Sequence, residues 1–455
     1  MKKVKSIALL GLFGLFVDAI AQDSFLDGYI TEGLQNNLSL QQIQGDYEKS
    51  LHALNSARGL FYPDLGIDAR YTLARGGRII EFPVGDMLNP VYSTLNQLTQ
   101  SNQFPQLENE EFPFYRPKEQ ETKISLVQPV FSPEILYNYR IEKEKLTIAG
   151  TDVTIYKREL IREIKTAYYN YLKTVYLQQL IGETLDLLEE NLRVSKSLFE
   201  NDLVTSDVVY RSEAELQKVI QSQAEAEKAN RTAIAYFNFL LNRSLDQDIQ
   251  FPEYRGTYEP DQKVEDNREI LTGINSREEL KQLDTYMDIN ESYTKLLQSS
   301  NYPSVFLAAN YGFQGEEYSF TRDDDFLLAS VVLQWNLFQG FKNRADVQQA
   351  KISASQLELK QQEIQKQIEL QIISAYYDMM AAVKSVYASR TQVKSSEKAF
   401  RVVNEKFRLG QAPLIEYIDA QTTMGTSKQN LIIAFFDYKI KEAEYERVTA
   451  SRSIQ

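Results

Sequence analysis

The chain has 455 residues, a formal net charge of −13 at pH 7, no Cys and a single His. Such acidity excludes nucleic acid as a natural partner, because DNA and RNA binders present a basic face. Without Cys there are no disulfides, thiolate metal sites or Cys nucleophiles, and the lone His52 removes His-based triads and most zinc or iron sites.

Lys2, Lys3 and Lys5 precede an apolar run from Ile7 to Val17 and an A-x-A site, Ala19-Ile20-Ala21. Residues 1–21 therefore read as a signal peptide, with the mature chain expected from Gln22 and no Cys there to carry a lipid. Beyond residue 21 no run approaches the 18 or so apolar residues of a membrane helix. Any membrane-embedded part is then expected to be built of strands.

The mature chain is a duplication. FYPDLGIDARYTL from Phe61 resembles NYPSVFLAANYGF from Asn301, and TAYYNYL from Thr166 matches SAYYDMM from Ser374. Each half, 22–245 and 267–450, reads helix, strand, loop, strand, long helix, turn, helix. Residues 246–266 link them, and 451–455 form a tail.

The first strand, about 63–75, sets Leu65, Ile67, Ala69, Tyr71 and Leu73 against Asp68, Arg70 and Thr72. A long loop, about 76–118 with Pro83, Pro90, Pro105, Pro113 and Pro117, leads to the second strand, about 121–131. An irregular segment of that length usually sits at a functional surface. In the second strand Ile124 and Leu126 oppose Lys123 and Ser125. The long helix after it repeats at seven residues through Ile164, Tyr171, Gln178, Leu185, Leu192 and Phe199. It reverses at 201–206, where Asn201 and Asp202 tolerate the left-handed conformation and Thr205 or Ser206 can cap the next helix.

In the second half a strand at about 303–314 sets Val305, Leu307, Ala309, Tyr311 and Phe313 against Asn310, Gly312 and Gln314. A shorter loop contains Arg322-Asp323-Asp324-Asp325, which lacks the spacing of a calcium loop and reads as a solvated external loop. The fourth strand, about 326–338, alternates Leu327, Ala329, Val331, Leu333, Trp335 and Leu337 with Ser330, Gln334 and Asn336. Phe341 to Leu409 then has neither Gly nor Pro over 69 residues, a helix of about 100 Å. Its seven-residue stripe is Ile372, Met379, Val386, Val393, Phe400 and Phe407, with Ala375 and Ala382 between, as in a left-handed coiled coil. Gly410 fits the left-handed position ending that helix, and Pro413 the start of the next, so 410–413 is a second reversal.

Strands of about ten residues with one apolar face suit a transmembrane barrel, and equally an amphipathic sheet in a soluble sandwich. In lipid four strands cannot close a barrel, so copies must combine: two give eight strands and three give twelve.

The Y-P-x-x-x-L-x-A-x-Y word at each strand entry and the turn FRLGQAPLIEYIDAQ, with the duplication, resemble the TolC family of outer-membrane efflux channels. The turn is similar to the family's G-L-V-T-x-x-D-V-L-x-A-Q pattern. The resemblance implies a mixed α/β membrane protein and a homotrimer. Four strands per protomer would complete a twelve-stranded barrel in outer-membrane lipid, continued by a helical coiled-coil barrel across the periplasm. It also implies docking to a periplasmic adaptor (a membrane fusion protein) and an inner-membrane pump of RND or ABC type, with no chemistry and no cofactor. By the same resemblance, Leu203, Val204, Thr205, Gly410, Gln411, Ala412 and Pro413 are expected adaptor contacts. Glu416 and Asp419, three apart on one helix face, are expected to line an acidic periplasmic constriction. Glu replaces Asp at the first of these positions. Ala412 stands where a basic gating residue can occur, so no salt bridge can lock the gate from there. Tyr62, Tyr302 and Trp335 are expected at the membrane interface. Drug efflux, type I protein secretion and metal export all suit such a duct. A periplasmic coiled-coil scaffold is the rival from another class.

Overall fold

The computed structural model describes residues 25–251, 258–260, 274 and 276–454. The signal-peptide segment lies outside the described residues, as does the 246–266 linker except 246–251 and 258–260. In chain order the elements are α1 (25–36), α2 (Leu38–Gly59), β1 (Asp64–Leu73), β2 (Ile79–Phe82), α3 (Val84–Thr99), β3 (Glu110–Pro113) and β4 (Lys118–Phe131). Then come α4 (Pro133–Glu200), α5 (Ser206–Leu240), α6 (Glu278–Ser299), β5 (Ser304–Gly315), β6 (Asp325–Gln334), α7 (Lys342–Arg408) and α8 (Leu414–Thr449). The chain divides into two compact units, a helical one of residues 1–51, 144–289 and 353–455, and a strand-bearing one of 52–143 and 290–352. No helix among the described residues is long and apolar enough to cross a membrane.

In the strand-bearing unit four strands form one antiparallel sheet in the order β1-β4-β5-β6. Ile67 lies opposite Ile124, Ile124 opposite Tyr311, and Tyr311 opposite Leu327. Residues opposite one another share a face. The next row on that face is Leu65, Leu126, Ala309 and Ala329, so the period-two pattern of all four strands merges into one apolar surface. The other face is mixed. It carries Arg70 and Lys123, each paired with Glu121 at 2.9 and 3.1 Å, but also Phe306, Phe326 and Val332. Among the described residues β1 and β6 each have a partner on one side only.

Two segments differ from expectation. β6 ends at Gln334, so Trp335 and Leu337 lie beyond it, because the chain turns into α7 through Gly340 and Phe341, both at positive φ. The expected 76–118 loop is also not a loop: it contains β2, α3 and β3, with β2 and β3 paired antiparallel. Its helix escapes pattern reading because Asn89 and Asn96 face the returning chain beside Tyr92.

In the helical unit the core gathers Tyr168, Phe237, Leu241, Phe435, Phe436 and Tyr438, all essentially fully buried, from α4, α5 and its C-terminal end, and α8. Tyr29 of α1 meets Phe237 edge-on at 5.1 Å. Asn37, between α1 and α2, donates to the Leu240 carbonyl and accepts from the Leu40 N–H, both at 2.9 Å, so one amide ends α5 and starts α2. Arg158 grips Glu278 with two nitrogens, at 3.2 and 2.7 Å, and buried Arg277 donates to the Val448 carbonyl at 2.9 Å, fastening the start of α6 to α4 and α8.

The seven-residue stripe of α7 is buried at Ile372, Met379, Val386, Phe400 and Phe407 and half-buried at Val393. In α4 the pattern slips. Ile164 and Tyr171 are buried, but Phe199 is exposed and the distal seam runs through Leu188, Asn191 and Ser195. An undistorted helix drifts about 20° per heptad against a strict seven-residue period, so after three heptads a neighbouring residue faces inward.

Candidate functional site

Both helix reversals have the same backbone. The Leu203 N–H donates to the Leu198 carbonyl at 2.9 Å and Asp202 N–H to Phe199 at 3.0 Å. In the second reversal Gln411 donates to Lys406 at 2.8 Å and Gly410 to Phe407 at 2.9 Å. These six-to-one bonds around a left-handed residue make a Schellman motif, with Asp202 at φ +59 and Gly410 at φ +69. A Cβ on Gly410 would meet nothing within 4 Å, so any cost of a side chain there is backbone strain alone. We expect Gly410→Ala to destabilise by about 1 kcal/mol and Asp202→Gly to stabilise by roughly 0.5–1 kcal/mol. Thermal unfolding of the detergent-solubilised protein reads both, and shifts of the same sign would contradict the assignment.

Beneath the second reversal lies a small aromatic core. Phe407 and Tyr417 rings stand 4.8 Å apart and Phe400 and Tyr417 5.6 Å apart, with Leu414 and Met424 buried beside them. Burial, with the nearby Glu190 carboxylate, pushes the Tyr417 phenol up to about 12. Tyr417 points one face of α8 inward, which turns Glu416 and Asp419, on the other face, to the exposed side. Neither carboxylate makes a hydrogen bond or ion pair among the described residues. At the same offset in the first half stand Val208, half-buried against this core, and Arg211, 3.9 Å from Asp207. The carboxylate pair is therefore a property of α8 alone.

The expected adaptor contacts divide. Leu203 is 69% exposed, and Thr205, Gly410, Gln411 and Pro413 are exposed, while Val204 is half-buried. Ala412 is a correction: it is only 8% exposed, because the turn tucks its methyl into the core with Leu414 and Tyr417. Thr205 occupies the N-cap of α5, yet its hydroxyl bonds to the Asp207 carboxylate rather than to a helix N–H. The first hairpin is more polar inside. Ser195 and Ser212 hydroxyls meet at 2.9 Å, and both side-chain polar atoms of buried Asn191 lack a partner among the described residues. Pattern reading missed this seam because Asn and Ser at helical spacing look like a solvated face.

In the sheet, Tyr62, Tyr302 and Trp335 are exposed at one end, and the Trp335 indole donates to the Asn301 carbonyl at 3.0 Å. At the opposite end Tyr71 stacks on Tyr318 at 5.7 Å with an interplanar angle of 17°. Gln120, paired in register with Tyr71, is fully buried there. Sequence reading missed this second aromatic level; Tyr71 at the end of an apolar alternation was the available signal. From Tyr62 to Tyr71 is about 30 Å of strand. In the 316–324 loop the Asp324 carboxylate accepts from Ser319 at 2.5 Å and Thr321 at 2.8 Å, and these bonds hold it below the usual carboxylate range. The lone His52 is exposed, and among the described residues no cluster of three or more His, Asp or Glu could hold a metal ion.

Residues 274–449 match the family model described as outer membrane efflux protein. The chain is 20% identical over 458 residues to outer membrane protein TolC of Escherichia coli strain K12, covering 97% of this chain and 85% of that one. A membrane protein from Pseudomonas aeruginosa has a similar structure, with TM-score 0.76 at 15% identity over 93% of this chain and 92% of that one. VceC, an outer membrane protein of Vibrio cholerae, gives TM-score 0.74 at 14% identity over 93% of this chain and 95% of that one.

Proposed function

We propose, for a chain whose second half carries the outer membrane efflux protein family and whose whole length resembles TolC, the role of a trimeric exit duct. Its location, the outer membrane of a Gram-negative bacterium, follows from that relationship. Three copies close a twelve-stranded barrel in lipid and line a helical tunnel with α4, α5, α7 and α8. The duct serves a tripartite efflux system and opens when an adaptor and a pump engage the helix reversals. Tyr62, Tyr302 and Trp335 mark one membrane interface, and Leu203, Thr205, Gly410, Gln411 and Pro413 meet the adaptor. Glu416 and Asp419 form the constriction, with six carboxylates around one axis.

One observation carries this reading. One face of the β1-β4-β5-β6 sheet is continuously apolar, the other is mixed, and β1 and β6 are open at their outer edges among the described residues. Lipid tolerates such a sheet only when the edges are paired, since each unsatisfied backbone group costs several kcal/mol there. Strand tilt shortens the roughly 30 Å between the two aromatic levels to about the 25 Å apolar band of outer-membrane barrels.

The test is extraction followed by reconstitution. We expect the mature protein to leave the outer-membrane fraction only with detergent, as an oligomer that conducts ions across planar bilayers. Release of folded protein by alkaline carbonate alone would replace the duct with the coiled-coil scaffold.

A further inference from the structure

The segment between β1 and β4 is held together largely by side-chain amides. Asn89 clamps Leu107 from both sides, accepting its N–H at 2.8 Å and donating to its carbonyl at 2.9 Å. One heptad on, Asn96 clamps Phe104 in the same way at 3.1 and 2.7 Å. Asn109 accepts the Asp86 N–H at 3.1 Å and donates to the Asp86 and Glu81 carboxylates at 3.1 and 3.0 Å. Gly85 lies so close to this return that an added Cβ would stand 2.3 Å from the Leu107 carbonyl oxygen. Hydrogen bonds thus hold the inner face of α3, where the Tyr92 ring also meets Phe104 at 5.6 Å, while a second apolar row points away: Met87 is 67% exposed, Val91 51% and Leu98 76%.

The β2–β3 ribbon is equally bare, with Ile79, Phe82 and Phe112 all more than half exposed. A two-stranded ribbon on its own is marginal in water, and here neither face is covered. It prolongs the β1–β4 hairpin. Leu73 pairs with Lys118, Ala74 N–H donates to Pro117 at 3.0 Å, Phe114 N–H to Arg78 at 2.8 Å, and Ile79 pairs with Pro113. The ribbon therefore continues the strand whose outer edge is unpaired.

We propose that the 76–117 segment is a clasp between copies of this chain, its apolar α3 face and ribbon packing on the neighbour that pairs with β1. The proposal rests on the closed-barrel reading, which already brings a second copy along β1. Charge selects protein over a lipid surface. Within 76–117 Arg78 and Arg116 are outnumbered by Glu81, Asp86, Glu108, Glu110 and Glu111, and anionic headgroups attract basic rather than acidic segments. A row of exposed apolar side chains on a monomer is what an oligomer interface looks like before assembly.

The chain has no Cys, so single substitutions report cleanly. In intact outer membranes we expect Val91→Cys to react with a membrane-impermeant maleimide at least tenfold more slowly than Asp323→Cys in the 316–324 loop. We also expect it to cross-link to a second copy with a short bismaleimide. Leu98→Asp should lower the temperature at which the detergent-resistant oligomer dissociates by about 10 °C or more, with channel currents retained. An oligomer that conducts but shows fast labelling, no cross-link and no thermal shift would overturn the clasp and leave the duct standing. Transfer of label from photoactivatable lipid to Val91→Cys, without a cross-link between copies, would overturn it in favour of a membrane surface. Absence of any oligomer in the unaltered protein would remove the closed barrel itself.

Discussion

Replacing Glu416 and Asp419 together by Ala will raise the conductance of the reconstituted protein and cut its preference for cations roughly five- to tenfold. The two side chains lie on the exposed face of α8, opposite buried Tyr417, with no cation paired to either among the described residues. In the proposed trimer they would form a ring of six carboxylates. A monovalent cation about 8 Å from one of them gains about 0.5 kcal/mol at the dielectric of water, so six contribute about 3 kcal/mol. Screening over a Debye length of about 8 Å leaves roughly 1 kcal/mol, which sets the expected factor since about 1.4 kcal/mol is tenfold. Glu416→Gln/Asp419→Asn, which keeps the bulk, should lose selectivity without the gain in conductance. Reversal potentials in a salt gradient decide the matter: unchanged selectivity in both variants would remove the constriction from α8. Ala412 is buried and uncharged, so no salt bridge can form from that position.

Proline at Ala329 and Val331 together will abolish the detergent-resistant oligomer while leaving the monomer folded. The reason lies in the ladder. Gln314 N–H donates to the Asp324 carbonyl at 2.9 Å, and Phe313 pairs with Asp325. Antiparallel residues alternate in the side to which their N–H points. Even-numbered residues of β6 therefore bond β5, and the odd-numbered N–H groups, Ala329 and Val331 among them, face the open edge. Proline at those two positions spares the β5 ladder, as edge positions allow, and removes two donors from every junction between copies. In lipid each acceptor left unpaired costs several kcal/mol, repeated at every junction. Semi-native electrophoresis of membrane extracts reads the oligomer, and the same double substitution at Leu328 and Ser330 should damage the monomer instead. A stable oligomer with Ala329→Pro/Val331→Pro would show that β6 is not a closing edge.

Much of the candidate site was legible because its signals are local. Gly410 and Pro413 announced a reversal through backbone preference, and Asp202 marked its counterpart where no Gly stands. Glu416 and Asp419 declared a shared face by spacing alone. Ala412 was misread, since a small residue in a turn carries no sign of which way its methyl points; that depends on Tyr417 and Leu414 arriving from the next helix. The slip of the α4 seam from Leu192 to Asn191 was hidden for a similar reason. Its direction follows from how far the helix is supercoiled, and only its packing partners set that.

By itself the sequence determined the duplication, the alternation of the four strands, the two long helices and the chemistry of their reversals. Each depends on residues within a turn or two of one another, where φ/ψ preference and periodicity act directly. Tertiary structure alone decided the strand order that leaves β1 and β6 open, the burial of Ala412 and the exposed apolar row of α3. In these cases the outcome turns on pairing between distant segments. Leu107 and Phe104 must return to meet Asn89 and Asn96 before Met87, Val91 and Leu98 are left as an exposed apolar row.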